Sequence, residues 1–306
     1  MIMAEQKIYD FMRYRHVCIA FSLLLTVIAA VAIGVRGFNF GLDFTGGTLV
    51  EVGYEQPADL DEIRQKLGAA GYGNAIVQHF GRESDVLIRL QQGATEQLGA
   101  EMLAVLQSGG EKVDLRRVEF VGPQVGADLK ESGFLAILVA FLGIMLYVAF
   151  RFQFKFSCGA ILALIHDVVI TLGFFAIFQW EFDLTVLAAV LTIIGYSIND
   201  TIVVFDRIRE NFHQMRGTDS AELINVAITQ TLSRTTMTSF TTLLAVLVML
   251  FVGGDMVYRF ALALTIGIGF GTYSSVYVAS SLLLTMKISR EDLVSLEKKE
   301  EEYDTP

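Results

Sequence analysis

Residues 184–205 read LTVLAAVLTIIGYSINDTIVVF, twenty-two positions with a single formal charge, Asp200. A helix needs roughly 20 apolar residues to cross about 30 Å of hydrocarbon, and this run is long enough. It is not uniformly apolar, because Gly195, Tyr196, Ser197, Asn199, Asp200 and Thr201 form a polar cluster within it. A membrane-spanning helix that carries a carboxylate is the reading from which the rest of the chain follows.

Charge-free runs of similar length occur at Val17–Val35, Ser132–Phe150, Phe156–Trp180 (interrupted by Asp167), Thr235–Gly254 and Phe260–Met286. With 184–205 they predict six spans. The composition agrees: 53% of the 306 residues are hydrophobic and only 18% charged, against about 45–50% and about 25% in soluble domains. A formal net charge of −10 argues against nucleic acid as a partner, since that function wants basic surface.

Lysine and arginine in the short flanks set the orientation. Lys7, Arg13 and Arg15 precede the first span, Arg151 and Lys155 follow the second, and Arg207, Arg209, Arg216 and Arg234 lie between the fourth and fifth. Lys287, Arg290, Lys298 and Lys299 follow the sixth. Between the third and fourth spans stand Glu181 and Asp183 with no basic residue. Both termini are therefore expected in the cytoplasm. Ala30-Val31-Ala32 fits a signal-peptide cleavage pattern, but the run exceeds the usual length of about 7–15 residues and five spans follow. The first span is read as uncleaved. Cys18 and Cys158 stand at cytoplasmic ends, with no disulfide or metal spacing.

The expected organisation is a cytoplasmic tail (1–16), a first span (17–35), an extracytoplasmic domain (36–131), five further spans (132–286) and a cytoplasmic tail (287–306). The outer segment has a soluble character. Thr48, Val50, Val52 and Tyr54 alternate as in a half-buried strand. Leu60, Ile63 and Leu67 have helical spacing, ended by Gly71 and Gly73. Ala75–Phe80 and Asp85–Leu90 form a hairpin across Gly81-Arg82-Glu83-Ser84. Leu98, Met102 and Val105 mark a second helix closed by Gly109-Gly110, and Val113–Phe120 a last strand. That strand changes phase between Leu115 and Val118, which predicts a β-bulge at Arg116-Arg117. The order βαββαβ is ferredoxin-like. The expected fold is a polytopic α-helical membrane protein with this domain between spans one and two. A sheet with an open face and edges suits capture of an extended polypeptide by strand addition; an inert cap is the alternative.

Asp200 is the most informative residue. An ionised aspartate at mid-membrane costs about 2.5–3.5 kcal/mol even on lenient scales, so it must be protonated, paired or facing water. Burial disfavours the charged form and a nearby cation favours it, and a conformational change can switch the balance. Arg234 opens the fifth span at a depth that permits an ion pair; the other reading is a positive-inside anchor. His166 and Asp167 are adjacent in the third span and point about 100° apart. Asp167 either joins a relay with Asp200 or fixes the contact between spans three and four, and the structural role is favoured. Two intramembrane aspartates also raise an aspartyl protease, but the contexts Ile-His-Asp and Ile-Asn-Asp lack the Gly-x-Gly-Asp pattern of such enzymes. No His-Glu-x-x-His, Gly-x-Ser-x-Gly or Walker pattern occurs. The chain is read as a non-enzyme driven by an external energy source. Small residues line the sixth span (Gly267, Gly269, Gly271, Ser274, Ser275) and the fourth (Ala188, Thr192, Gly195, Asn199), which points to close helix packing.

Several stretches resemble the SecF branch of the SecD/SecF protein-export family, within the RND superfamily. They are Gly41-Leu42-Asp43-Phe44-Thr45-Gly46-Gly47-Thr48, Val121-Gly122-Pro123-Gln124-Val125-Gly126, Tyr196 through Asn211, Leu232-Ser233-Arg234-Thr235, and Gly271-Thr272-Tyr273-Ser274-Ser275. The resemblance implies a bacterial inner-membrane subunit that acts with SecD to use the proton motive force late in protein export. It implies proton transport by Asp200 and Arg234, with a second carboxylate supplied by SecD. Asp167, Asn199 and Ser197 are supporting candidates, and Asp43, Gly46 and Gly47 link the first span to the outer domain as a candidate domain hinge or a plain turn. Further partners implied are the SecYEG translocon, YajC, exported preproteins and membrane lipids. Protons are the coupling ion, with no other cofactor. The alternatives are half of an RND-type exporter of small molecules or lipids, and a scaffold whose acids lock helices together.

Overall fold

A computed structural model describes residues 8–90, 98–108, 110–215 and 217–289. Lys7, Gly109, Arg216, Arg290, Lys298 and Lys299 lie outside them. The chain divides into two compact units, one built of the membrane helices and the other of Phe40–Ala136 with Glu181–Leu184.

After the first span, α1 (Arg15–Arg36), come a short strand β1 (Asn39–Phe40) and a single helical turn α2 (Leu42–Thr45). The outer domain continues as β2 (Gly47–Tyr54), α3 (Leu60–Ala69), β3 (Ile76–Phe80), β4 (Arg82–Leu90), α4 (Leu98–Gln107) and β5 (Val113–Val121). The βαββαβ order is thus as the hydrophobic periodicity indicates. The strands form an antiparallel sheet in the order β3-β4-β2-β5. Val50, Val52, Val86 and Ile88 pack on one face against Ile63 and Leu67 of α3 and Met102 and Leu106 of α4. Each such buried side chain contributes about 1.5–3 kcal/mol relative to exposure. Asp59 starts α3 by accepting hydrogen bonds from the Asp61 and Glu62 amides. Hydrogen bonds from Lys66 to Glu62 and Glu111 raise the lysine pKa above its ordinary value.

The phase change in the last strand is a bulge. Glu51 pairs with Arg117 and Val52 with Leu115, which leaves Arg116 as the extra residue. Its side chain lies over Gly53 and pairs with Asp85 at 2.9 Å. The second face of the sheet is less open than expected. Leu49 is buried with Leu87 under Leu42 of α2, so β2 begins buried on both faces and is not half-buried there. The turn between first span and sheet folds back as a cover.

The remaining spans are α5 (Pro123–Arg151), α6 (Phe154–Phe178), α7 (Leu184–Gln214), α8 (Ser220–Val252) and α9 (Asp255–Ser274). A short strand β6 (Glu181–Phe182) lies between α6 and α7. The last span continues through a π-helical turn, Ser275–Ala279, into α10 (Ser280–Thr285). Proline at the first position of α5 costs nothing, since that N–H has no helical partner. Six helices are long and apolar enough to cross a membrane. They sort into two classes by their most apolar eighteen-residue stretch: half or more of it is buried in α6, α7 and the last span (50%, 56% and 50%), against 17%, 11% and 17% in α1, α5 and α8. The inner three carry Asp167, Asp200 and Ser274.

Close approach of α1 and α6 depends on Gly173, where an added Cβ would lie 2.7 Å from the Ala29 Cα. Gly173→Leu is therefore expected to cost about 1–3 kcal/mol as overpacking. A thermal melt of the detergent-purified protein should show it as a lowered midpoint; an unchanged midpoint contradicts the packing.

Candidate functional site

Asp200 sits on the inner side of α7 and is only 3% exposed. Its Oδ2 accepts a hydrogen bond from Ser239 Oγ of α8 at 3.3 Å. Thr272 Oγ1 of α9 lies 2.8 Å from the same serine oxygen, and the Tyr196 hydroxyl approaches it at 3.4 Å. Asp200 is thus reached by a short hydroxyl network from three spans. Serine and threonine are suited to this in lipid, because a hydroxyl proton not otherwise used is donated to a helix carbonyl four residues back.

Arg234 lies on the exposed side of α8. Its charge acts on the Asp200 carboxylate through space, but no direct ion pair joins them. Among the described residues neither side chain has an ion-pair partner. Ser233, Thr236, Thr238 and Thr241 share the exposed character of Arg234. Thr238 and Thr241 return their hydroxyls to the carbonyls of Arg234 and Met237, four residues back. Asn199 and Gly195 are exposed on α7.

Asp167 forms a second, separate cluster and is fully buried. It accepts from Ser197 Oγ of α7 at 2.5 Å and Ser274 Oγ of α9 at 2.7 Å, and meets its neighbour His166 Nδ1 at 2.8 Å. Ser197, three residues before Asp200, therefore serves the other carboxylate. Positions three apart on a helix differ by about 60° in direction, which suffices to face different neighbours. Gly271 leaves the space: an added Cβ would sit 3.4 Å from Ser197 Cβ and 3.6 Å from Asp167 Oδ2. The π-helical turn begins directly after Ser274, and such turns concentrate at functional sites. Gly267 holds Ile193 of α7, so this glycine accepts a side chain and does not bring two backbones together.

At the start of α7, Asp43 Oδ2 accepts a hydrogen bond from the Leu184 amide at 3.0 Å. Gly46 and Gly47 have φ of +66° and +127°, which glycine alone adopts without strain. Gly46 is also enclosed, since a Cβ there would lie 2.7 Å from Pro123 Cα, and one on Gly126 would lie 2.7 Å from the Gly46 nitrogen. Two of the sequence stretches singled out above meet at this turn.

Sequence reasoning did not single out Ser239 as the hydrogen-bond donor to Asp200. The signal was present, for seven of the ten residues 233–242 are serine or threonine. Among the described residues, no group of three or more His, Cys, Asp and Glu side chains converges as a metal site would.

A family model described as protein export membrane protein SecD/SecF, C-terminal, matches residues 101–289, which hold both carboxylate clusters and Arg234. A second, the SecD/SecF GG motif, matches residues 31–58 and holds Asp43, Gly46 and Gly47. The chain is 50% identical over 299 residues to the protein translocase subunit SecF of Pseudomonas aeruginosa, covering 97% of each. Against the SecF subunit of Escherichia coli O157:H7 it is 44% identical over 306 residues, covering 98% of this chain and 95% of the relative. Among solved structures, SecDF from Thermus thermophilus, described as a translocon-associated membrane protein, superposes with a TM-score of 0.84 at 40% identity over 94% of this chain. SecDF in a super-membrane-facing form gives 0.70 at 38% identity over all of it. This chain spans 40% and 41% of the length of those two SecDF chains.

Proposed function

The chain belongs to the SecD/SecF family of protein-export membrane proteins, as a multi-pass, SecF-like subunit of the Sec machinery, and from that premise we propose that Asp200 couples export to the proton motive force. The carrying observation is Asp200 itself, a buried carboxyl in a span with one serine hydrogen bond and no ion-pair partner among the described residues. Such a group is neutral and content when protonated, and dependent on a cation when ionised. Arg234 supplies that cation through space. Proton exchange alters the attraction and biases the bundle between two arrangements, which the outer domain converts into a hold on an emerging polypeptide. No cofactor other than the proton is required.

The polar outside of α8, with Arg234, Thr236 and Thr238, and the small outside of α7, with Gly195 and Asn199, suit a partner helix better than lipid. SecD is that partner and offers a carboxylate to Arg234. SecYEG, YajC and the exported preprotein complete the assembly. Lipid covers the apolar faces of α1 and α5. The site of action is the bacterial inner membrane, with both termini in the cytoplasm and the sheet domain outside.

β5 is an edge strand whose Leu115 and Phe120 are 38% and 41% exposed, the arrangement that strand addition uses. A photo-crosslinking residue at either position is expected to capture a translocation-arrested preprotein, more strongly with a proton gradient than after its collapse. No capture from either position in either state contradicts this role of the outer domain.

A further inference from the structure

The outer unit includes Glu181–Leu184, a tetrapeptide far along the chain that leads straight into α7. Polar contacts of three kinds hold it there. The Leu184 amide donates to Asp43 Oδ2 at 3.0 Å, and the Gly41 amide donates to the Phe182 carbonyl at 2.8 Å. Arg89, on the central strand β4, reaches Glu181 Oε1 at 3.4 Å with one nitrogen. With another it donates to the Phe40 carbonyl at 2.6 Å and Thr45 Oγ1 at 2.7 Å. Phe44 stacks on Phe182 with ring centres 5.9 Å apart. The Arg89 and Glu181 side chains are 9% and 14% exposed. Opening the pair would leave two charges poorly solvated, which opposes it strongly.

These contacts are those of a fastened joint. A hinge needs backbone free to rotate, yet Gly46 is enclosed by Pro123 and Gly126, and Leu42, Phe44 and Thr48 around it are buried. The left-handed φ values serve a tight turn against α5. Beyond the joint, α7 runs unbroken from Leu184 to Gln214. Asp200 lies sixteen residues along it, about 24 Å at 1.5 Å per residue. We propose that Asp43 and Arg89 are positioning residues for energy coupling: they clasp the outer end of α7 to the sheet, so that displacement of α7 on proton exchange is delivered to the outer domain without slack. The clasp stays closed through the cycle. This rests on the proton-carrier reading of Asp200.

The test uses the full chain with Cys18 and Cys158 replaced by Ser, reconstituted with SecD and the translocon in vesicles with an imposed proton gradient. An added Cβ on Gly41 would lie 3.0 Å from Asp183 Cβ, slightly inside the roughly 3.5–4.5 Å that a disulfide spans. Gly41→Cys with Asp183→Cys can thus lock the joint after a shift of a few tenths of an ångström. Oxidation is expected to leave gradient-driven export within about twofold of the reduced form. Export lost on oxidation and regained on reduction overturns the clasp, since the joint would then have to open.

A second pair of variants reads coupling itself. Asp43→Ala removes the acceptor for the Leu184 amide and is expected to lower export about fivefold, the scale of a lost helix-end hydrogen bond, while proton flux persists. Asp43→Asn keeps an acceptor oxygen and should retain both. In Asp43→Ala protein that accumulates and melts like the wild type, flux and export falling together, or no fall in either, contradicts a coupling role. Asp200→Asn in the same vesicles separates the two levels. Flux retained there refutes the proton-carrier reading whatever the cysteine pair does. Flux lost there, with Asp43→Ala losing flux and export equally, refutes the clasp alone.

Discussion

Replacing Asp200 with asparagine is expected to make export independent of the proton gradient. The substitution preserves size and an oxygen that can accept from Ser239, so packing among α7, α8 and α9 should survive. What disappears is the exchangeable proton. One charge crossing the whole field is worth about 2.3 kcal/mol per 100 mV, or about 50-fold in a two-state equilibrium. That whole bias should vanish, while the export supported without a gradient stays. Arg234→Ala should produce the same phenotype from the other side, because an ionised Asp200 would have no cation to meet among the described residues. Arg234→Lys keeps a charge but loses the planar guanidinium, and an intermediate result is expected. Export of a secreted reporter, followed with and without a protonophore, measures all three. Normal gradient stimulation in Asp200→Asn contradicts the role assigned to this residue, and normal stimulation in Arg234→Ala returns Arg234 to a topological anchor.

Asp167 predicts a contrasting pattern. Its carboxylate is the point at which α6, α7 and α9 meet, through Ser197 and Ser274. Asp167→Ala strands both hydroxyls and His166 in a fully buried site and leaves a small void. Interhelical hydrogen bonds in membranes average well under the strength they would have in isolation, so three lost contacts and the void together cost about 2–4 kcal/mol. Such a loss should appear as poor accumulation of the assembled protein and a lowered melting midpoint. Asp167→Asn keeps an acceptor for the serines and should accumulate well and remain active. An Asp167→Asn protein that accumulates normally yet carries no protons would make Asp167 a second exchange site and overturn its structural assignment.

The contrast between the two aspartates also shows what one sequence discloses. Charge-free runs reveal the six spans because the bilayer imposes length and apolarity directly on the chain. Period-two and helical spacing reveal β2 to β5 with α3 and α4, and the odd step after Leu115 reveals the bulge, because a strand's faces are written in its own residues. Partners from distant helices are not written that way. Ser274 reads as a small packing residue and Ser197 as a support for Asp200, and only the packing of α6, α7 and α9 turns both into donors to Asp167. Ser239 lay unnoticed among neighbouring hydroxyls for the same reason. Leu49 reads as a solvent-facing position until the turn at Leu42 is folded over it. Glu181 marks an outer loop by charge, while its pairing with Arg89 across 92 residues belongs to the fold alone.

The direct measurement is proton flux in sealed vesicles that hold this chain with SecD and the translocon, under an imposed gradient and with a preprotein in transit. Wild-type vesicles are expected to take up protons at a rate that rises with export, and Asp200→Asn vesicles to fall to the level of protein-free lipid. Equal uptake by the two contradicts proton exchange at Asp200.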